Sequence, residues 1–464
     1  MLRKNHTRLS VLLAALLLSA CISPGPKQSS NVDVPQSWSR LSVADMPLMS
    51  APAAEVEQQW WRNFGDPTLD ALIDEALASN KTLQIAKARV EEARADRGVV
   101  RSSLFPEVVA AGGVSRSNQG FATNNSTVNI AQANLQASWE LDIFGRNQAR
   151  TREAGAILES TEASAQAVRL GLLAEVARNY FDLRNYERQI VLTRQNLATQ
   201  QRTLELTEAQ FRGGFSSEFD VSRAGAQVST TAALIPVLQA GYDASLNRLN
   251  ILLGTAPGNR DGMLKTPQEL KPLDQRILVA APATVIAARP DVRAAERRFS
   301  ASISGREAAT AELFPNISLT AFFGLQSAGP LSTAPWGLAG NLIQPILNFG
   351  RIQSEIDAAD ARQKQAFLGY QQSVLEALED MENALSNYLQ ETQRNASLTS
   401  AVVDDRRAAE LAGQQYTNGF TSLLDVLVAE RDLLEAEANQ AASDATLRKN
   451  LVAIYTAAGG GWKE

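Results

Sequence analysis

Imidazole and thiol are almost missing from this chain: His6 is the only histidine and Cys21 the only cysteine. The first twenty residues place Arg3, Lys4 and Arg8 around the start of an apolar run, Leu9 to Leu18, that is too short to cross a bilayer comfortably. That is a signal peptide, and its removal from 464 residues leaves 444 without a histidine. Ser-His-Asp triads, cysteine nucleophiles and zinc or haem held by His or Cys are excluded, and no disulfide can form within the chain. Nothing calls for a metal or cofactor. Carboxylate-only hydrolysis stays open as a rival class, but Asp and Glu lie mostly at solvated helical spacing with no compact alternating β/α pattern around them. Basic runs are absent too. Without the signal, 41 Lys and Arg face 50 Asp and Glu, a net charge of −9 that argues against nucleic acid.

Proline is the next absence. None occurs between Pro106 and Pro236, and none in the 119 residues after Pro345, so very long helices are permitted. Val176, Leu183, Ile190, Leu197, Leu204 and Phe211 recur at seven, the coiled-coil spacing, beside a mixed seam of Tyr180, Glu187, Arg194 and Gln201. A helix from Ala149 to Arg212 would measure about 95 Å at 1.5 Å per residue. Gly213-Gly214 stops it, and Ser216-Ser217 opens a return helix. The later return helix is rich in alanine (Ala436, Ala438, Ala441, Ala442, Ala445), which permits close packing.

What is present is present twice. Arg212-Gly-Gly-Phe-Ser-Ser-Glu-Phe-Asp-Val221 returns 205 positions later as Thr417-Asn-Gly-Phe-Thr-Ser-Leu-Leu-Asp-Val426. Leu141-Asp-Ile-Phe-Gly-Arg146 matches Ile346-Leu-Asn-Phe-Gly-Arg351 at the same offset, while Leu104-Phe-Pro-Glu-Val108 matches Leu313-Phe-Pro-Asn-Ile317 at 209. Two long copies make an internal duplication rather than a solenoid. The expected order is a signal (1–20), an N-terminal tether (21–59), a helical pair (60–103), a β-hairpin (104–144) and a long helical hairpin (145–258). A linker with helices (259–312), a second β-hairpin (313–347) and a second helical hairpin with the C-terminal segment (348–464) follow. Structure is expected to begin at Trp60-Trp61, and the first helical pair to break at Ser79-Asn80-Lys81.

After each Phe-Pro the period changes to two. Leu135, Ala137, Trp139, Leu141 and Ile143 alternate with Gln136, Ser138, Glu140 and Asp142; Ile317, Leu319, Ala321, Phe323 and Leu325 alternate with polar residues, with Phe322 and Gly324 as exceptions. Strands are expected near 104–114, 127–143, 314–325 and 336–347, each with an oily and a wet face and a length suited to a bilayer. Four such strands cannot stand alone in hydrocarbon, because an open sheet leaves backbone groups unpaired. Two copies of the chain would give eight strands and a filled interior; three would give twelve and room for a lumen. A coiled-coil lipoprotein tethering envelope layers is the other rival; it leaves these strands idle.

Several stretches carry a specific resemblance: Trp60-Trp61-Arg-Asn-Phe64-Gly-Asp66-Pro67, the Asn80–Arg94 helix, Leu141–Arg146, Ala288–Glu296, Leu313–Ser318, Pro345–Arg351 and Gly459-Gly-Gly-Trp462. From Cys21 onward the chain resembles the TolC-like outer membrane factors, in their lipoprotein branch of the NodT/OprM type. The resemblance implies a mixed fold, a trimer with a twelve-stranded transmembrane β-barrel, four strands per chain, continuous with a periplasmic α-helical barrel. It further implies the exit duct of a tripartite efflux pump, with a periplasmic adaptor and an inner-membrane transporter of the RND type as partners. Leu18-Ser-Ala-Cys21 resembles a lipobox, which makes Cys21 the lipidated N-terminus, and Ile22-Ser23 lacks the Asp that retains such proteins at the inner membrane. Outer-membrane lipid is therefore a further implied partner.

Two groups of site residues follow from the resemblance. Gly213, Gly214 and Phe215 with Asn418, Gly419 and Phe420 form the expected periplasmic tip and adaptor contact. The glycines and asparagine also suit left-handed helix C-caps, but the two Phe residues are apolar where the chain should be wet. Asp220, Arg223, Leu424, Asp425 and Arg431 are the gate candidates; Val428 departs from relatives that carry a second Asp there. Ser217-x-x-Asp220 and Ser422-x-x-Asp425 also fit capping boxes, so capping alone is an open alternative to gating.

Overall fold

The computed structural model describes residues 34–39, 48–50, 57–118, 127–264, 270–271, 273, 277–328 and 331–461. The signal peptide, Cys21 and Trp462 lie outside them. The backbone runs β1 (Leu48–Ser50), a 3-10 turn (Trp60–Phe64), α1 (Pro67–Ser79), α2 (Lys81–Ser102), β2 (Glu107–Ser117), β3 (Val128–Leu141), α3 (Arg146–Arg212), α4 (Glu218–Leu252) and α5 (Asp261–Leu264). It continues through β4 (Ile277–Val279), α6 (Pro282–Ala288), α7 (Pro290–Ala311), β5 (Asn316–Ala328), β6 (Leu331–Thr333), β7 (Trp336–Ile343), α8 (Arg351–Thr417) and α9 (Leu423–Ala457).

The duplication is metrical. Helices α3 and α8 have 67 residues each, α4 and α9 have 35 each, and both pairs start 205 positions apart. Each 67-residue helix spans about 100 Å. Helices α2 and α7, 22 residues each, start 209 apart, so the four-residue difference falls between them and the long helices, where the β-hairpins lie. Gly145 and Gly350, at φ +75 and +85, open the long helices from the left-handed region, which explains the glycine in each Phe-Gly-Arg. Asp142 completes the first cap, accepting from the Asn147 and Gln148 amides at 3.0 and 2.7 Å.

Strands β2, β3, β5 and β7 form one antiparallel sheet in that order, with β6 also paired to β5. Strand β7 stops at Ile343, short of the expected 347, because Pro345 has no N–H to continue a ladder. The helices follow the strands: α2 packs on α3, α3 on α7 and α7 on α8.

A core between sheet and tips joins both copies. Trp60 is fully buried, stacks on Tyr455 at 5.5 Å and donates from Nε1 to the Gly460 carbonyl at 3.2 Å. Asp66 caps α1 and accepts the Tyr180 hydroxyl proton. Order also begins earlier than Trp60: Trp38 is buried and donates to the Ala280 carbonyl at 2.8 Å, and β1 pairs in parallel with β4. These partners lie more than two hundred positions away, so no local pattern marks them.

Candidate functional site at the sheet and the helical tips

The strand register sorts side chains into rows. Ala110, Leu135, Phe323 and Trp336 lie opposite one another across four strands, as do Val108, Ala137, Ala321 and Leu338. On this face Val108, Val114, Leu135, Phe323, Leu325, Trp336, Leu338 and Leu342 are all exposed. The opposite face carries Gln132 beside Gln326, Ser138 beside Thr320, and Ser318 between Glu140 and Asn341. Phe322, the exception, shares this wet face, and its ring lies where a Cβ on Gly337 would stand, 2.5 Å away. Gly324 is glycine for the same kind of reason, since a Cβ there would come within 2.9 Å of Asn134 Cβ. Among the described residues, β2 and β7 pair on one side only, so both outer edges of the sheet are open. No helix among those residues is long and apolar enough to cross a membrane.

At the far end of the long helices both turns take one geometry. The Gly214 amide donates to the Phe211 carbonyl and the Phe215 amide to Gln210; Gly419 and Phe420 do the same with Tyr416 and Gln415. These paired bonds are Schellman caps, with Gly214 at φ +76 and Gly419 at φ +78 as the left-handed residues. Gly213 and Asn418 are not left-handed, at φ −83 and −91, which corrects the expectation that they are; the Asn418 side chain instead donates to the Gln414 carbonyl at 2.8 Å. Phe215 and Phe420 are 87% and 82% exposed.

The return helices open on reciprocal capping boxes. Asp425 Oδ2 accepts from Ser422 N at 3.1 Å, Ser422 Oγ at 2.6 Å and Thr421 Oγ1 at 2.7 Å, and Asp220 Oδ2 makes the matching set with Ser217 and Ser216. The serine bonds hold both carboxyls below the usual aspartate range.

Above the tips the two hairpins meet along a polar seam between α3 and α9. Thr193, Asn196, Gln200 and Thr207 are buried on α3, whereas Leu197 and Leu204 of the apolar heptad are half-buried and Phe211 is 45% exposed. A straight helix drifts about 20° per heptad against a seven-residue repeat, so five heptads from Val176 carry the stripe off the contact. In its place Asn196 Nδ2 donates to Glu437 Oε2 at 2.9 Å, Thr203 Oγ1 to Glu430 Oε1 at 2.8 Å, and Tyr416 to Gln210 Oε1 at 2.7 Å. Arg406 of α8 pairs with Glu437 at 2.7 Å.

A model of the outer membrane efflux protein family matches residues 72–255 and 281–460, one segment for each copy. The chain belongs to the outer membrane efflux protein family. This efflux protein is 30% identical over 478 residues to the pyoverdine export outer membrane protein OpmQ of Pseudomonas aeruginosa, covering 98% of the chain and 97% of that relative. It is 29% identical over 465 residues to nodulation protein T of Rhizobium leguminosarum bv. trifolii, with 99% and 98% covered. Its fold matches the solved outer-membrane channel OprN with a TM-score of 0.86 at 33% identity, over 94% of this chain and 99% of that one.

Within one chain of this efflux protein the gate candidates are dispersed. Asp425 faces its own cap, Arg431 pairs with neighbouring Asp432 at 2.8 Å, and the Arg223 guanidinium lies 5.4 Å from the Phe219 ring centroid. Leu424 and Val428 are 44% and 37% exposed. Sequence reasoning missed Tyr416, Glu430 and Glu437. No spacing marks them, because Arg194, Gln195, Gln201 and Arg202 make the rest of α3 polar as well.

Proposed function

We propose that three chains close a twelve-stranded barrel in the outer membrane and continue it with a periplasmic tube of helices, forming the exit duct of a tripartite efflux pump. One observation carries this: a four-stranded sheet with apolar rows on one face, open at both edges, and joined directly to 67-residue helices. An open edge in hydrocarbon leaves N–H and C=O groups without partners, and closure over several copies satisfies them. The apolar rows then meet lipid and the polar rows line the lumen. The idle strands of a purely structural coiled-coil lipoprotein have no place for that face.

Cys21 carries the lipid that adds attachment to the outer membrane. The tip turns with Phe215 and Phe420 receive the periplasmic adaptor, which links the duct to an inner-membrane transporter of the RND type. Asp220, Arg223, Leu424, Asp425 and Arg431 narrow the tube just above the tips, the acidic residues in rings of three. Capping is a second role for the two acids, favoured by the two reciprocal boxes. Purified protein in planar bilayers is the test: discrete conductance steps from a species of three chains are expected, and a trimer that passes no ions would overturn the duct.

A further inference from the structure

Glu430 is an acid buried without a cation. It is 5% exposed, its Oε1 accepts from Thr203, and its Oε2 is buried with no donor among the described residues. Across the seam Gln200, 1% exposed, has neither amide atom hydrogen-bonded. Glu430 borders a cavity of about 460 Å³ whose lining includes Arg202, Thr203, Arg406, Glu410 and Tyr416.

The charges around Glu430 are accounted for on α3, α8 and α9, and on α4 the Arg223 guanidinium lies over the Phe219 ring. On α3, Arg202 is exposed and makes no ion pair with Glu430. On α8, Arg406 is committed to Glu437, Glu410 pairs with Arg407, and the Tyr416 hydroxyl is engaged with Gln210. On α9 itself Arg431 pairs with Asp432, and Asp425 is held by its cap. The same seam is not built in the first return helix: 205 positions before Glu430 and Glu437 stand Gly225 and Ala232.

We propose that Glu430 is a proton-operated latch on the second hairpin: uncharged, it lets α9 lie against α3; ionised, it drives the lower part of α9 away so that water can reach it. A buried carboxylate with one oxygen unpaired is costly, while the neutral acid has a proton to donate into the cavity. Burial accordingly raises the Glu430 carboxyl above the usual glutamate range, against the opposing Thr203 bond. The closed seam binds the proton more tightly than the open one. Acid therefore closes it, and closure weakens as pH rises from the ordinary value of 4.5 through the raised one. The gating consequence rests on the duct reading above; the proton linkage does not.

The test uses the full-length protein and Glu430→Gln, a neutral side chain of the same shape. In planar bilayers the wild type should show resting conductance that rises several-fold with pH above 4.5, and Glu430→Gln a low conductance without that rise. Identical pH profiles would overturn the latch, since Asp425 is common to both. In detergent, the melting temperature of Glu430→Gln should match the wild type in acid and exceed it increasingly as pH rises. If neither protein conducts at any pH, the duct reading fails, and the melting gap alone decides the latch: a gap independent of pH overturns it.

Discussion

Tyr416 donates its hydroxyl proton to Gln210 Oε1 at 2.7 Å across 206 positions of sequence, and Thr207 Oγ1 lies 3.1 Å from the Tyr416 hydroxyl oxygen. The contact ties the last turns of α3 to the last turns of α8. Around it Ala224, Leu423, Val426 and Leu427 form a small apolar cluster separate from the main core. Tyr416→Phe keeps the ring and removes the bond, so it should cost about 0.5–1.5 kcal/mol locally. Hydrogen exchange in the last turns of both helices should quicken while the 170s stay protected. Unchanged exchange at the tips would show that the apolar cluster alone holds them.

The apolar rows of the sheet make a sharp contrast between neighbours. Leu135→Arg places a charge on the oily face and should cost about 2–4 kcal/mol if that position lies near the bilayer midplane. Gln136→Arg, on the wet face, should fold at wild-type level and change ion selectivity. Equal yields of folded trimer for both variants would contradict the assignment of faces.

Charged substitution of both Phe215 and Phe420 should impair efflux and crosslinking to the adaptor at unchanged trimer level. The rings contribute little to the fold, being largely exposed. Wild-type efflux would leave the turns with their capping role alone.

Asp425 separates capping from gating. The Ser422 bonds that hold its carboxyl low stabilise the first turn of α9 above the ordinary value of 3.8, and that contribution is lost as pH falls through the depressed one. Asp425→Ala should therefore loosen the start of α9 at neutral pH and lose its difference from wild type in strong acid. If the residue also gates, Asp425→Ala/Arg431→Ala should raise resting conductance and sensitise cells to large antibiotics with the trimer intact. Single-channel traces identical to wild type, with unaltered ion selectivity, would sink the gate.

Cys21→Ser should abolish lipidation and leave trimers in the outer membrane, because in the proposed barrel strand pairing rather than the acyl chains makes the closure. Blue-native gels of membrane fractions read this directly. A soluble monomer would make the anchor essential to assembly.

Much of this protein is local, and its sequence determines that part unaided. The long helices follow from missing proline, the boxes from Ser-x-x-Asp, the two-faced strands from alternation, and the equal halves from repeats 205 apart. All but the repeat are matters of neighbours within one or two turns or along one strand. Tertiary structure decided what depends on partners far along the chain: that Trp38 joins the core and β1 pairs with β4, that Phe322 rests over Gly337, and that the α3 face buried near the tip is polar. That last point hides from periodicity because small rotations per turn accumulate over 67 residues, and only the packed partner shows which stripe faces it. Glu430 therefore looks like any surface glutamate in sequence, and becomes a buried acid only when α9 lies against α3.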